Sequence, residues 1–253
     1  MASDIERMDR KLRKFRRRAI VSFILAVIVI VPVGIILLRT FLKTNSVLID
    51  NGTQYSSSSL LSSCSDYIGR TIFDFEQDTD KLFPPEKFPY ISTAEVQYMF
   101  PDKMNIRLES SVPSLSVQTE DGSFIYLDSK KRVLEISDVR CPGTVLVSGM
   151  KLKEIKIGYE LDKTENYEIS LVDVLSNALE SHSLYGRLTR MDFTKKYDIY
   201  FILDNMIEVR IGNSEDINKK IDMLVNVLAR NPSGEKAIIN VKNYNEGRYQ
   251  TVD

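Results

Sequence analysis

Residues 19–38 read AIVSFILAVIVIVPVGIILL, twenty positions without one charged side chain, and residues 7–18 before them read RMDRKLRKFRRR, eight basic residues against one acid, Asp9. Twenty helical residues at 1.5 Å each reach about 30 Å, the hydrocarbon thickness of a bilayer, and a helix satisfies its own backbone polar groups there. The strong cationic flank stays on the cytoplasmic side, Arg39 and Lys43 being the weaker flank, so the N-terminus is expected inside and everything after Lys43 outside the cytoplasm. A cleaved signal has a shorter apolar run of about 7–15 residues and then a small-residue cleavage site. Leu37-Leu38-Arg39-Thr40-Phe41 offers no such site, and only Ser22 interrupts an apolar surface that a soluble helix would make half polar. Pro32 and Gly34 are tolerated inside a span. The expectation is a retained anchor.

Roughly 210 residues remain beyond the anchor, enough for one generous domain or two small ones, each able to bury a core. The net charge of -1 hides a split, because the cations concentrate in the N-terminal tail and leave the rest mildly acidic, which argues against nucleic acid as a partner. Cys64 and Cys141 are either a disulfide pair or two small apolar core residues, and the second reading is expected, since one widely separated pair makes no framework. His182 is the only histidine and no Cys-x-x-Cys occurs, so no metal-ligand spacing and no metal or other cofactor is expected.

The pattern after residue 45 is legible as short elements. Residues 46–50 read as a strand and Asn51-Gly52 as a turn. Residues 55–69 hold a serine run that is either a linker or a helix; apolar Leu60, Leu61, Cys64 and Ile68 at helical spacing, with a capping serine before and Gly69 after, favour the helix. Between Asp78 and Tyr90, with Asp78 or Asp80 as a cap, Pro84, Pro85 and Pro89 permit only a brief helical turn. Residues 93–100 and 104–109 alternate on either side of Pro101-Asp102-Lys103, a hairpin with one buried face.

Beyond Pro113 the strands continue at 115–119, 124–128 and 132–136. Ser170 with Asp173 in capping-box spacing starts a helix whose stripe is Leu171, Val174, Leu175, Ala178 and Leu179, ending at Gly186. Strands at 188–193, 197–203 and 206–211 follow, the last two joined at Asp204-Asn205, a pair suited to positive φ. Ser214 caps a second helix with Ile217, Ile221, Leu224, Val225 and Leu228 on one face, stopped by Asn231-Pro232-Ser233-Gly234. Residues 236–242 read as the final strand, and those after Asn245 as a polar tail with little reason to pack.

Chemistry is hard to place on this chain. A nucleophilic triad needs a base beside its serine or cysteine, and His182, late in a helix between Ser181 and Ser183, reads as an ordinary surface or half-buried histidine. Glu120-Asp121 and Glu215-Asp216 fall at a turn and at a helix start, where solvation and the helix dipole account for them. No glycine-rich phosphate loop occurs, and Lys195-Lys196 reads as a solvated turn. A tethered outer body without catalytic groups works by holding partners, and a bare sheet edge is one way to do so. The last strand is the candidate edge, with Lys236 and Lys242 as its alternative protection.

The order of parts resembles the bacterial cell-division family FtsQ/DivIB. Gly52 with Tyr55-Ser56 and then Gly69-Arg70-Thr71-Ile72-Phe73 is similar to the opening of that family's POTRA domain. Tyr90-Ile91-Ser92-Thr93-Ala94-Glu95-Val96 with Phe100-Pro101-Asp102-Lys103-Met104-Asn105-Ile106 resembles its hairpin. Ile202-Leu203-Asp204-Asn205, Val209-Arg210-Ile211-Gly212, Lys220-Ile221-Asp222-Met223-Leu224 and Ile239-Asn240-Val241 resemble the later part of its β domain. Pro84-Pro85 departs from the family by shortening the second POTRA helix.

The resemblance implies a single-span membrane protein with an α+β extracytoplasmic region, a POTRA domain followed by a mostly antiparallel β domain with two helices. The expected division is a basic cytoplasmic tail at 1–18, a transmembrane helix at 19–38, a linker at 39–45, a POTRA-like domain at 46–113, a β domain at 114–244 and a flexible tail at 245–253. It implies a non-enzymatic scaffold at the division septum that binds FtsB/DivIC-like and FtsL-like proteins, touches lipid through its span, and takes neither nucleic acid nor a small-molecule substrate. The terminal strand would accept a partner strand at Ile238, Asn240, Lys242 and Tyr244. The alternative is an anchored ligand-binding or sensor domain, which needs a concave pocket with convergent polar groups.

Overall fold

The computed structural model describes residues 2–71, 79–230 and 235–252. Helix α1, Ala2–Phe41, runs without a break through Pro32. Its segment Ile20–Leu37 has a mean hydropathy of 3.2 and is buried nowhere in the protein, and among the described residues it is the helix long and apolar enough to cross a membrane.

The chain forms two compact units that interleave in sequence. One comprises Met1–Asn51, Tyr55–Leu82 and Ala94–Leu108, the other Gly52–Gln54, Phe83–Thr93 and Glu109–Asp253. For the greater part in the first, β1 (Ser46–Gly52), β2 (Ile91–Met99) and β3 (Lys103–Ser110) make a sheet in the order β1-β3-β2. Alternation along β3 buries Met104, Ile106 and Leu108. Helix α2, Ser57–Cys64, is capped by Ser56, whose hydroxyl accepts the Ser59 N–H at 3.3 Å; it buries Leu60 and Cys64 and passes into a 3-10 turn, Ser65–Tyr67. The helix reading of the serine run holds, with Gly69 at φ 86° behind it, but Leu61 and Ile68 face outward. Asn51-Gly52 ends β1 instead of forming a turn. A short helix, α3 (Thr79–Leu82), follows; the cap Asp78 and the pair Ile72-Phe73 lie outside the described residues.

Among the described residues, the second unit is built on one nine-stranded sheet and two α-helices. Its strands are β4 (Leu115–Gln118), β5 (Phe124–Leu127), β6 (Val133–Ser137), β7 (Val145–Ser148), β8 (Leu188–Asp192), β9 (Ile199–Leu203), β10 (Ile207–Gly212), β11 (Ala237–Asn243) and β12 (Glu246–Thr251). They lie in the order β12-β11-β10-β9-β8-β7-β4-β5-β6. Five neighbouring pairs are antiparallel and three parallel, so the sheet is mostly antiparallel. Two of the parallel contacts arise because β7, too short to stand out in the sequence, inserts between β4 and β8; the third joins β10 to β11, which α5 separates in the chain.

One face of this sheet carries Val117, Ile125, Val147, Met191, Phe201, Val209 and Ile239 into a continuous core with α4 (Tyr167–Ser181) and α5 (Ile217–Arg230). Each fully buried aliphatic or aromatic side chain there contributes about 1.5–3 kcal/mol of transfer free energy. The expected capping details are corrected. Helix α4 starts at Tyr167, not Ser170, after the buried Asn166, whose Oδ1 accepts the Lys153 N–H (2.7 Å) and whose Nδ2 donates to Asp162 O (2.9 Å). Asp173 is not a cap but pairs with Lys131 (2.9 Å) and Lys163 (2.5 Å). The buried stripe is therefore Ile169, Val172, Leu175, Ala178 and Leu179, with Val174 exposed, and the helix stops at Ser181 ahead of Ser183 in left-handed backbone.

Helix α5 starts at Ile217, after Asp216 at φ 51°. Ser214 does not cap it; the buried Lys220 in its first turn ties down the preceding loop instead, donating to Asn213 O (2.9 Å) and Oδ1 (2.6 Å). The expected stop at 231–234 lies outside the described residues.

Candidate functional site

The strand expected to be bare is not. β11 is flanked by its own chain on both sides, parallel to β10 through Ile207↔Ala237 to Arg210↔Asn240 and antiparallel to β12 through Ala237↔Thr251 to Asn240↔Arg248. The polar tail expected after Asn245 is β12 itself. The signal was present: from Glu246 to Val252 charged or polar residues alternate with Gly247, Tyr249 and Thr251, after turn-forming Asn243 and Asn245. A strand with so little apolar content gains its place from the backbone ladder that β11 offers.

Three of the four expected partner-binding residues share the sheet face opposite α4 and α5. Ile238 stands between Glu208 and Gln250, and Asn240 between Arg210 and Arg248. Lys242 Nζ meets Asp198 Oδ1 at 2.7 Å. Tyr244 does not join them; it lies in the β11–β12 turn with the Lys219 ammonium 4.8 Å from its ring centroid. The face is a ladder of short-range charge pairs. Arg210 Nε donates to Glu208 (2.6 Å), Arg190 Nη2 to Asp192 (2.9 Å), and Tyr200 donates its hydroxyl to the same Asp192 oxygen (3.0 Å). Burial pushes the Asp192 carboxyl up, but hydrogen bonds from Thr194, Tyr200 and Arg190 outweigh it and hold the group below the usual carboxylate range. The Lys242 ammonium does the same for Asp198.

The free margin of the sheet is β12. Val252 N donates to Lys236 O (2.9 Å). By the alternation of an antiparallel ladder, the backbone groups of Arg248 and Gln250 then turn toward β11, and those of Gly247, Tyr249 and Thr251 turn away from it. Among the described residues no strand lies beyond. Gly247 sits under α5, and a groove of about 530 Å³ runs along this margin, lined by Met223, Val227 and Arg230 on α5 and by Asn245, Gly247 and Arg248. The opposite margin is different. Val133 N donates to Tyr159 O (2.9 Å) and Gly158 N to Val133 O (2.7 Å), so the chain partly covers β6 with its own residues 158–161.

The two cysteines are free thiols, Cys64 buried and Cys141 half-buried. His182 Nε2 lies 3.0 Å from Asp222 on α5. Among the described residues no three His, Cys, Asp or Glu side chains gather as they would around a metal ion.

No family model matches the chain. Cell division protein DivIB of Clostridium botulinum (strain Hall) is 23% identical over 222 residues, covering 87% of this chain and 85% of the relative. The protein of the same name from the Loch Maree strain is 22% identical over the same length and coverage. DivIB of Clostridium tetani is 23% identical over 141 residues, 55% of this chain and 52% of the relative. Together with the ordered motifs and, among the described residues, one long apolar helix ahead of a mostly β body, these similarities support the resemblance to the bacterial cell-division family FtsQ/DivIB.

Proposed function

We propose that this chain is a membrane-anchored, non-enzymatic scaffold of the division machinery that holds other division proteins by adding a strand to its sheet. The observation that carries the reading is the β12 margin, where Gly247, Tyr249 and Thr251 turn backbone donors and acceptors outward and, among the described residues, no strand pairs with them. A strand laid there gains a ladder of hydrogen bonds, and its alternate side chains meet the groove along α5. The docking strand is thus β12 and not β11; Ile238, Asn240 and Lys242 lie on the adjoining sheet face. The partners are extracytoplasmic segments of FtsB/DivIC-like and FtsL-like proteins, in keeping with the division role of the relatives.

The rest of the reading follows the same lines. Segment 19–38 spans the membrane with the basic tail 1–18 in the cytoplasm, residues 46–113 form a POTRA-like domain and residues from 114 onward the partner-binding β domain, outside the cytoplasm at the septum. The length of Ile20–Leu37 and the flank asymmetry support the anchor and its orientation.

Thr251→Pro tests the docking. Proline is tolerated in an edge strand where the replaced N–H faces solvent, so the domain should fold with unchanged secondary structure, while one outward donor is lost and the ring blocks an incoming strand. Copurification of the FtsB/DivIC-like partner with the full chain should fall at least tenfold. Undiminished capture by a folded Thr251→Pro variant would sink the proposal.

A further inference from the structure

We infer that the first unit carries a second, interfacial membrane contact, made by the tip of the β2–β3 hairpin and the loop around Ile68. The inference rests on the anchor reading above and extends it to residues that no spanning segment contains.

The chain that leaves α1 is clasped at once by two loops. Thr44 N donates to Arg70 O (2.9 Å), Gly69 N to Thr44 O (2.8 Å), and a bridge joins Lys43 to Thr71. Asn45 N donates to Asp102 O (2.8 Å) and Asn45 Nδ2 to Asp102 Oδ2 (3.1 Å). These bonds tie the hairpin tip and the Ile68 loop to the segment directly after the helix. From Leu37 to Phe41 the helix rises about 6 Å, and the next four residues add at most about 14 Å. The headgroup layer outside the hydrocarbon is about 5–8 Å deep on each side, so Phe41 lies within it, and the clasp holds both loops at most about 20 Å from the hydrocarbon edge.

What the clasp brings there is unusual for a water-facing surface. Phe100 at the tip is 72% exposed and Phe41 75%, with Met99 and Ile68 each about half exposed. Large side chains so bare, on two loops and a helix end gathered by backbone bonds, have no covering partner among the described residues. Exposed cations stand among them: Arg39, Lys43, Arg70 and Lys103, against Asp66 and Asp102, of which Asp102 is already engaged by Asn45. Apolar tips flanked by cations are the chemistry of an interfacial lipid contact, with headgroup phosphates as counter-charges. Continuity with the end of the 18-residue apolar segment Ile20–Leu37 selects lipid over a protein as the occupant: the same residues that need cover are tied to the chain directly after that segment.

The chain contains no tryptophan, so a single introduced one reports its own surroundings. Full-length chain carrying Phe100→Trp, and separately Met99→Trp, is reconstituted into vesicles of phosphatidylcholine with phosphatidylglycerol, with and without bromine on the acyl chains. Emission from both should be at least halved by the brominated lipid. Glu95→Trp, five residues back along β2 and about 17 Å away, should be quenched clearly less. Adding Arg70→Glu to Phe100→Trp should reduce quenching in the mixed vesicles and leave it unchanged in phosphatidylcholine alone. Ile30→Trp, inside the apolar segment, reports on the anchor itself.

Quenching at Ile30 with none at Phe100 or Met99 overturns this inference while leaving the anchor intact, and frees the tip for a protein partner. No quenching at Ile30 overturns the anchor and the inference together. Equal quenching at Glu95 and Phe100 overturns tip insertion, and an Arg70→Glu variant without effect overturns the headgroup contact.

Discussion

Gly247 of β12 lies so close beneath Val227 of α5 that a Cβ on the glycine would come within 2.4 Å of Val227 Cγ2, and within 3.1 Å of Met223 Cγ. Glycine is required here for space, because its backbone is not left-handed. The margin strand is therefore seated on the helix by the absence of a side chain. Gly247→Val forces β12 and α5 apart and should cost about 1–3 kcal/mol, as overpacking of a tight contact does. Chemical denaturation of the full chain in detergent measures the loss, and a variant as stable as the parent would show that β12 is not held this way.

Asp192 makes a second prediction, in pH. Its carboxyl is held below the ordinary value of about 3.9 by Thr194, Tyr200 and Arg190 against the opposing effect of burial. A depressed carboxylate adds stability that is complete above the unfolded value and is lost as pH falls through the folded one. Stability should be level above about pH 5 and decline below pH 4. Asp192→Asn should flatten part of that acid limb and cost about 1–3 kcal/mol at neutral pH, since it leaves Arg190 without its counter-charge on the sheet face. An unchanged acid limb in the variant would count against the assignment.

Thiol reactivity separates the two cysteines. Burial pushes the Cys64 thiol up to about 11, so at pH 8 almost none of it is thiolate and the side chain is shielded in the first unit. A disulfide reagent should label one thiol of the folded chain, Cys141, readily, and the other only on denaturation. Two equally fast thiols would refute the buried placement of Cys64.

The β9–β10 turn is the last test. Asp204 and Asn205 both have positive φ, 52° and 55°, and the Asp204 carboxylate is also held by Arg187 through Nε (2.8 Å) and Nη2 (2.7 Å). Only Asn205 is free to change without breaking that pair. Asn205→Gly should raise stability slightly, by about 0.5 kcal/mol, and Asn205→Val should lower it by about 1 kcal/mol or more, because a β-branched residue resists left-handed backbone. Thermal denaturation of the pair of variants reads both signs.

Features that depend on neighbours along the chain were legible without any coordinates. Twenty uncharged residues beside a basic run mark the helix that can cross a membrane, alternation marks β3 and β9–β11, and Asp204-Asn205 marks its turn, because each signal is a local balance of burial, solvation and backbone preference. Helix existence was legible, whereas helix starts were not: Ser170, Asp173 and Ser214 do not take the capping roles their spacing suggested, and the starts are held instead by Asn166 and Lys220, bonded to Lys153 and Asn213, while Asp173 pairs with Lys131. Only the tertiary structure decided which strand is the margin. Ile238 to Lys242 looks like an edge until Glu246–Thr251, too polar to be drawn in by burial, folds back and takes up its outer hydrogen bonds. Strand order is set by which distant backbone groups pair, and no local property of a strand records its neighbour.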